Sequence, residues 1–147
     1  MKESVMPMKS CAFVLVSLCM CLLLTGFVSP IPVLEASESD ALDVEEILVC
    51  KDVVGLTPVG ANANFKASVG RLFCFTKIIG AEFETTVTHV WYFGESKEAW
   101  VALEVGSARW RTYSSKVIQS HQVGQWRVEV LGPDVELLKT IEFEVVP

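Results

Sequence analysis

From Glu45 to the C-terminus the chain is a series of short runs in which apolar and polar residues alternate, separated by turn-forming residues. Glu45 to Val54 is rich in Ile, Leu and Val, and Gly55 to Ser68, with Pro58, Gly60, Asn62 and Asn64, reads as a loop. Val69 to Ile79 is closed by Gly80, Thr85 to Phe93 by Gly94, and Glu98 to Val105 by Gly106. Trp110 to Gln119, Gln125 to Leu131 and Leu137 to Val146 follow, the last two split by Gly132-Pro133-Asp134. Short strands at regular spacing, without helical periodicity or internal repeat, predict an all-β domain. The expected form is a single immunoglobulin-like antiparallel β-sandwich of about seven strands over residues 45–147.

Alternation assigns the faces, because successive side chains of a strand point to opposite sides. Ile141, Phe143 and Val145 oppose Glu142 and Glu144, and Trp126, Val128 and Val130 oppose Arg127 and Glu129. Val101, Leu103 and Val105 likewise oppose Ala102 and Glu104. In the run from Thr85, Val87, His89, Trp91 and Phe93 share one face and Thr86, Thr88, Val90 and Tyr92 the other. Both faces are apolar enough to be covered, which predicts a central strand.

Ahead of this domain the pattern changes. Lys2 and Lys9 precede an uncharged apolar run of 18 residues, Cys11 to Val28. Ser29, Pro30 and Pro32 follow, and an acidic segment begins at Glu35. A basic start, an apolar stretch and a small residue at a cut site form the secretory signal pattern, here with cleavage after Ala36, although Leu34 is bulky for the minus-three position. Left uncleaved, the same run is long enough to anchor the chain as a membrane helix. Residues 1–36 are thus read as a signal peptide or signal anchor and residues 37–44 as an acidic linker. Either outcome places the domain in the periplasm or on the outer face of the cytoplasmic membrane, touching the bilayer only through an uncleaved N-terminal segment.

Charge and cysteine usage narrow the function. After Ala36 the chain carries 16 acidic and 10 basic residues, once the two lysines and two glutamates before it are set aside. That balance argues against nucleic acid, which calls for a basic footprint. Cys50 and Cys74 are the cysteines beyond the leader, and an even pair in an exported domain favours a disulfide. If the first two strands pair antiparallel about Asn62, Cys50 falls opposite Cys74 and within bonding reach. One residue of slip separates them, leaving two reduced, buried cysteines. No Cys or His spacing suited to a metal is present, and no cofactor motif.

Candidate chemistry is sparse. Ser114-Ser115-Lys116 lacks the spacing of a Ser/Lys hydrolase, and no Gly-x-Ser-x-Gly elbow occurs. His121 sits in a turn; His89, mid-strand, is either a satisfied structural group or a ligand contact. Arg109, Arg111 and Tyr113 share one face of their strand, and an arginine fork there suits a carboxylate or an aromatic ring. If the strands lie side by side, His89, Arg109, Arg111 and Tyr113 converge on one site. Trp91, Trp100, Trp110 and Trp126 are read as core or core-rim fillers, with glycan stacking as the alternative for any that are exposed.

The motifs Pro58-Val-Gly60, Leu72-Phe-Cys-Phe-Thr76, His89-Val-Trp-Tyr92, Trp110-Arg-Thr-Tyr-Ser-Ser-Lys116 and Gly124-Gln-Trp-Arg-Val128, with Cys50 and Phe65, occur in order. This order resembles the bacterial domain-of-unknown-function 2914 family, from about Cys50 to Val145. The resemblance implies a small β-domain behind a signal or membrane segment and supplies no catalytic residues. The chain is therefore expected to be a non-catalytic binding or interaction module of the cell envelope, with a protein or glycan ligand. The alternatives are an enzyme using the His89/Arg111/Tyr113 face and a purely structural domain.

Overall fold

The computed structural model describes residues 41–147. The expected leader, residues 1–36, and the first half of the acidic linker, residues 37–40, lie outside the described residues. The described residues are all-β: β1 (Asp43–Cys50), β2 (Asp52–Val54), β3 (Thr57–Val59), β4 (Asn64–Lys66), β5 (Arg71–Ile79), β6 (Thr85–Phe93), β7 (Ser96–Val105), β8 (Arg109–Val117), β9 (Gly124–Leu131) and β10 (Leu137–Val146). One turn of 3-10 helix, Ala67–Val69, precedes β5.

The strands form a three-stranded sheet in the order β1-β5-β8, a five-stranded sheet β4-β10-β9-β6-β7, and the small hairpin β2-β3. The long neighbours pair antiparallel, while β4 joins β10 in parallel. As its two apolar faces predict, β6 lies inside its sheet, between β9 and β7.

The two larger sheets share one apolar interior. Val49, Leu72 and Cys74 from the first pack with Trp91, Trp126, Val128, Phe143 and Val145 from the second. The Phe143 ring is the hub: it stacks on Trp126 (5.9 Å between centroids) and meets Trp91 and Phe65 edge-on at 6.1 and 6.0 Å. Offset stacking and edge-on contact are the geometries aromatic quadrupoles favour. A second cluster, with Val44, Ile78, Val87, Val105 and Val130, fills the other part of the interior.

Two expectations need correction. The segment expected as a loop from Gly55 to Ser68 contains β3, β4 and the hairpin turn joining β2 to β3. That turn is built on Gly55 (φ 55°) and Leu56 (φ 57°), both in the left-handed region, as a two-residue hairpin with right-handed strand twist requires. Leucine seldom adopts that conformation, so the sequence carries little sign of the turn.

The second correction concerns the cysteines. Both are buried free thiols. Cys50 pairs with Phe73 and Cys74 with Val49, one residue away from the opposed register that a Cys50–Cys74 bond requires. The connection between β1 and β5 is no symmetric loop about Asn62; it holds a hairpin, a strand and a helical turn. Burial raises both thiol pKa values, keeping the sulfurs protonated.

Candidate functional site

The outer face of the three-stranded sheet is unusual for its mix of aromatic and cationic residues. Alternation along β5 sends Leu72, Cys74, Thr76 and Ile78 into the interior and Phe73, Phe75, Lys77 and Ile79 to the opposite face, where Phe75 is nevertheless buried. In register beside them on β8, Ser115 pairs with Phe73, Tyr113 with Phe75, Arg111 with Lys77 and Arg109 with Ile79. The β2-β3 hairpin lies against β5 and β1. Its tip residue, Leu56, meets the cationic end of the face, where Leu56, Lys77, Arg109, Trp110 and Arg111 line a cleft of about 400 Å³.

The charge in this cleft is set by a bulge. Between Val44 and Glu46 the register of β1 gains one residue, and the inserted Glu45 reaches both Lys77 and Arg109. The Lys77 ammonium bonds the carboxylate directly, while the Arg109 guanidinium stands 3.9 Å away and is mostly solvent-exposed. The hydrogen bond from Lys77, with both positive charges, holds the Glu45 carboxyl below its ordinary range despite the opposing desolvation. The cleft thus holds three cations, of which two share the single carboxylate of Glu45. Among the described residues Arg111 has no carboxylate within 4 Å, so its five-donor fork faces the cleft without an ion-pair partner. Glu46 and Asp43, on β1, stand two strands from Arg111, roughly 10 Å by strand spacing, although Glu46 is directly opposite Lys77 on the adjacent strand.

Trp110 belongs by alternation to the other side of β8, but β8 is an edge strand and the ring lines the cleft from that edge. It is held there against Gly106, where a Cβ would stand 3.1 Å from the indole. A Cβ at position 106 would require the ring to give by a few tenths of an ångström.

The predicted site residues divide. Arg109 and Arg111 line the cleft, and Tyr113 shares their face, its ring edge-on to Phe73 at 5.9 Å. His89 does not join them. It lies on β6 in the other sheet, fully buried between the two sheets. Its Nδ1 is 2.9 Å from Ser114 Oγ and its Nε2 3.2 Å from Thr76 Oγ1. The Trp91 indole N–H donates to the same Ser114 Oγ at 3.0 Å, and the Thr76 hydroxyl donates to the Thr112 carbonyl at 3.4 Å.

One proton arrangement uses every group once. Trp91 donates to Ser114, Ser114 to His89 Nδ1, His89 Nε2–H to Thr76, and Thr76 to Thr112. That chain requires a neutral imidazole, and burial pushes the His89 pKa down to about 4. Ser114 and His89 are spaced as a nucleophile and base would be, yet both are sealed from solvent. The convergent His89/Arg111/Tyr113 face expected from sequence therefore does not form: His89 points inward and the other two outward.

The tryptophans divide too. Trp91 and Trp126 are core fillers, whereas Trp100 is 49 % exposed on β7, with the Lys97 ammonium 4.9 Å above its ring, and Trp110 is 37 % exposed. Leu56 and Lys77 are the lining residues that the sequence did not single out, and Trp110, read from sequence as a core or core-rim filler, lines the cleft as well. Lys77 was within reach of the alternation argument, since it falls on the same face as Phe73 and Phe75. Among the described residues no group of three metal-ligating side chains occurs.

Residues 84–145, from just before β6 to the penultimate residue of β10, match the family described as Protein of unknown function (DUF2914). Over these residues the chain is similar to the DUF2914 family. The DUF2914 stretch is shorter than the resemblance from Cys50 onward. It carries Arg109, Trp110 and Arg111 of the cleft and His89, Trp91, Thr112 and Ser114 of the buried chain, but neither Leu56, Lys77 nor Thr76. A search of curated proteins found no match to the chain.

Proposed function

We propose that this protein is an exported, non-catalytic binding module of the cell envelope, and that the Leu56/Lys77/Arg109/Trp110/Arg111 cleft recognises an anionic partner. The observation that carries the reading is the excess of positive charge in a concave site bordered by Leu56 and an indole. A guanidinium fork binds a carboxylate or phosphate bidentately, and the apolar walls exclude water from the pair. Leu56 holds a left-handed conformation at the rim, a local strain of the sort that gathers at functional sites.

The fold reading extends in the same way. Taken as seven long strands, the sheets run 1-2-5 and 7-6-3-4, and the third carries a fully buried Trp91. Greek-key order with a buried tryptophan on the third strand supports an immunoglobulin-like sandwich, a fold whose members commonly bind through their surfaces. The basic start, the uncharged run and the acidic segment of residues 1–46 support export, by cleavage near Ala36 or with a retained anchor.

The test is a comparison of wild type with Arg111→Ala in affinity capture from an envelope extract. The expected result is loss of one specific partner with an unchanged melting temperature. Equal capture by both forms, or a partner bound through Trp100, would move the site elsewhere.

A further inference from the structure

We propose that the cleft receives the Glu82-Phe83-Glu84 loop of a second copy of this chain, giving a two-fold symmetric dimer. The proposal rests on the reading of the cleft as a recognition site and names its occupant. Phe83 is 80 % exposed, the highest value among the large apolar side chains of the described residues. It sits between two exposed glutamates in the connection from β5 to β6. An aromatic ring flanked by carboxylates is the chemical complement of a cleft with Leu56 and Trp110 on its walls and Lys77, Arg109 and Arg111 around them. A cleft of about 400 Å³ has room for one phenyl ring.

Phe83 cannot enter the cleft of its own chain. The loop is pinned at one end by the Gly80 N–H bonded to the Ala108 carbonyl, and at the other by the pairing of Thr85 with Val105. Ala81 is buried between them, so only three residues are free to project outward. The same pins set knob and hole side by side, because Ile79, which leads into the loop, pairs with Arg109. Adjacent, complementary knob and hole on one surface are what an isologous interface needs: each copy inserts its loop while receiving the other's. An anionic lipid surface fits less well. Glu82 and Glu84 beside Phe83, and Asp134 and Glu136 beside the exposed Val135, would be repelled by it.

Sedimentation velocity of the full chain over a concentration series, with charge-reversed variants, decides the proposal. Wild type should dimerise with rising concentration, and Phe83→Ser should weaken that association about tenfold or more. E82K/E84K and R109E/R111E should each be monomeric, since each sets like charges against one another. Mixed in equal amounts they should form a heterodimer, because both of its contacts regain opposite signs. That recovery also shows both variants to be folded. Wild type that stays monomeric at every concentration, or dimers indifferent to Phe83→Ser, would overturn the proposal. So would monomeric wild type whose flotation with phosphatidylglycerol vesicles is lost in Phe83→Ser, since flotation through the N-terminal apolar run would survive that change. A monomer that still captures another partner through Arg111 would overturn the self-association and leave the recognition site standing.

Discussion

His89 Nδ1 lies 2.9 Å from Ser114 Oγ, a hydrogen bond that joins β6 of the five-stranded sheet to β8 of the three-stranded one. With Thr76 on the other ring nitrogen, the imidazole ties both sheets together through the middle of an otherwise apolar interior. Such a chain is strong when complete and costly when broken, because any orphaned group is far from water.

Acid should therefore weaken the fold. An unfolded histidine takes up its proton near pH 6.5, whereas the buried ring resists it down to about pH 4. Below pH 6.5 the unfolded state binds more protons than the folded one, so stability falls as pH drops from about 6.5 to 4 and is fully present above that window. The expected loss from this group is on the order of 3 kcal/mol. Urea unfolding across that range should show it, and His89→Gln should flatten the profile between those limits.

Ser114→Ala should cost about 2–4 kcal/mol, since it strands both the Trp91 indole N–H and His89 Nδ1. Ser115→Ala, one residue along and facing outward, should cost less than about 0.5 kcal/mol. Thermal melts of the two variants make the comparison, and equal losses would remove the special role of the buried chain.

Phe143→Ala should be the most damaging of the core truncations, at about 3–5 kcal/mol, because three rings pack on Phe143. Chemical denaturation of this variant beside Phe73→Ala, whose ring lies on the outer face against Tyr113, checks the ranking.

Cys50 and Cys74 should resist alkylation in the folded protein and react only after unfolding, since both are buried and protonated. Mass spectrometry after a thiol pulse, with and without denaturant, reads this directly. A Cys50–Cys74 disulfide in peptide maps of exported protein would mean that β1 shifts by one residue against β5.

Much of the β pattern was legible in the sequence. Alternation in β9 and β10 placed Trp126, Val128, Phe143 and Val145 in the core, where they are, because one covered face imposes a period of two. The hairpin β2-β3 was not, since its turn rests on a leucine in a conformation leucines seldom take. Sheet membership was beyond the sequence as well. Arg109, Arg111 and Tyr113 were found as one face, but their relation to His89 depends on which strand lies beside which. The bulge at Glu45 shifts the β1–β5 register, and no local signal marks it.

The recognition cleft is tested most directly by side-chain NMR of the protein titrated with a peptide carrying Glu-Phe-Glu. Saturable shifts are expected, confined to the Trp110 indole and the Arg109 and Arg111 guanidinium signals and lost in Arg111→Ala while the rest of the spectrum is unchanged. Shifts centred on Trp100, or none at saturating peptide, would contradict it.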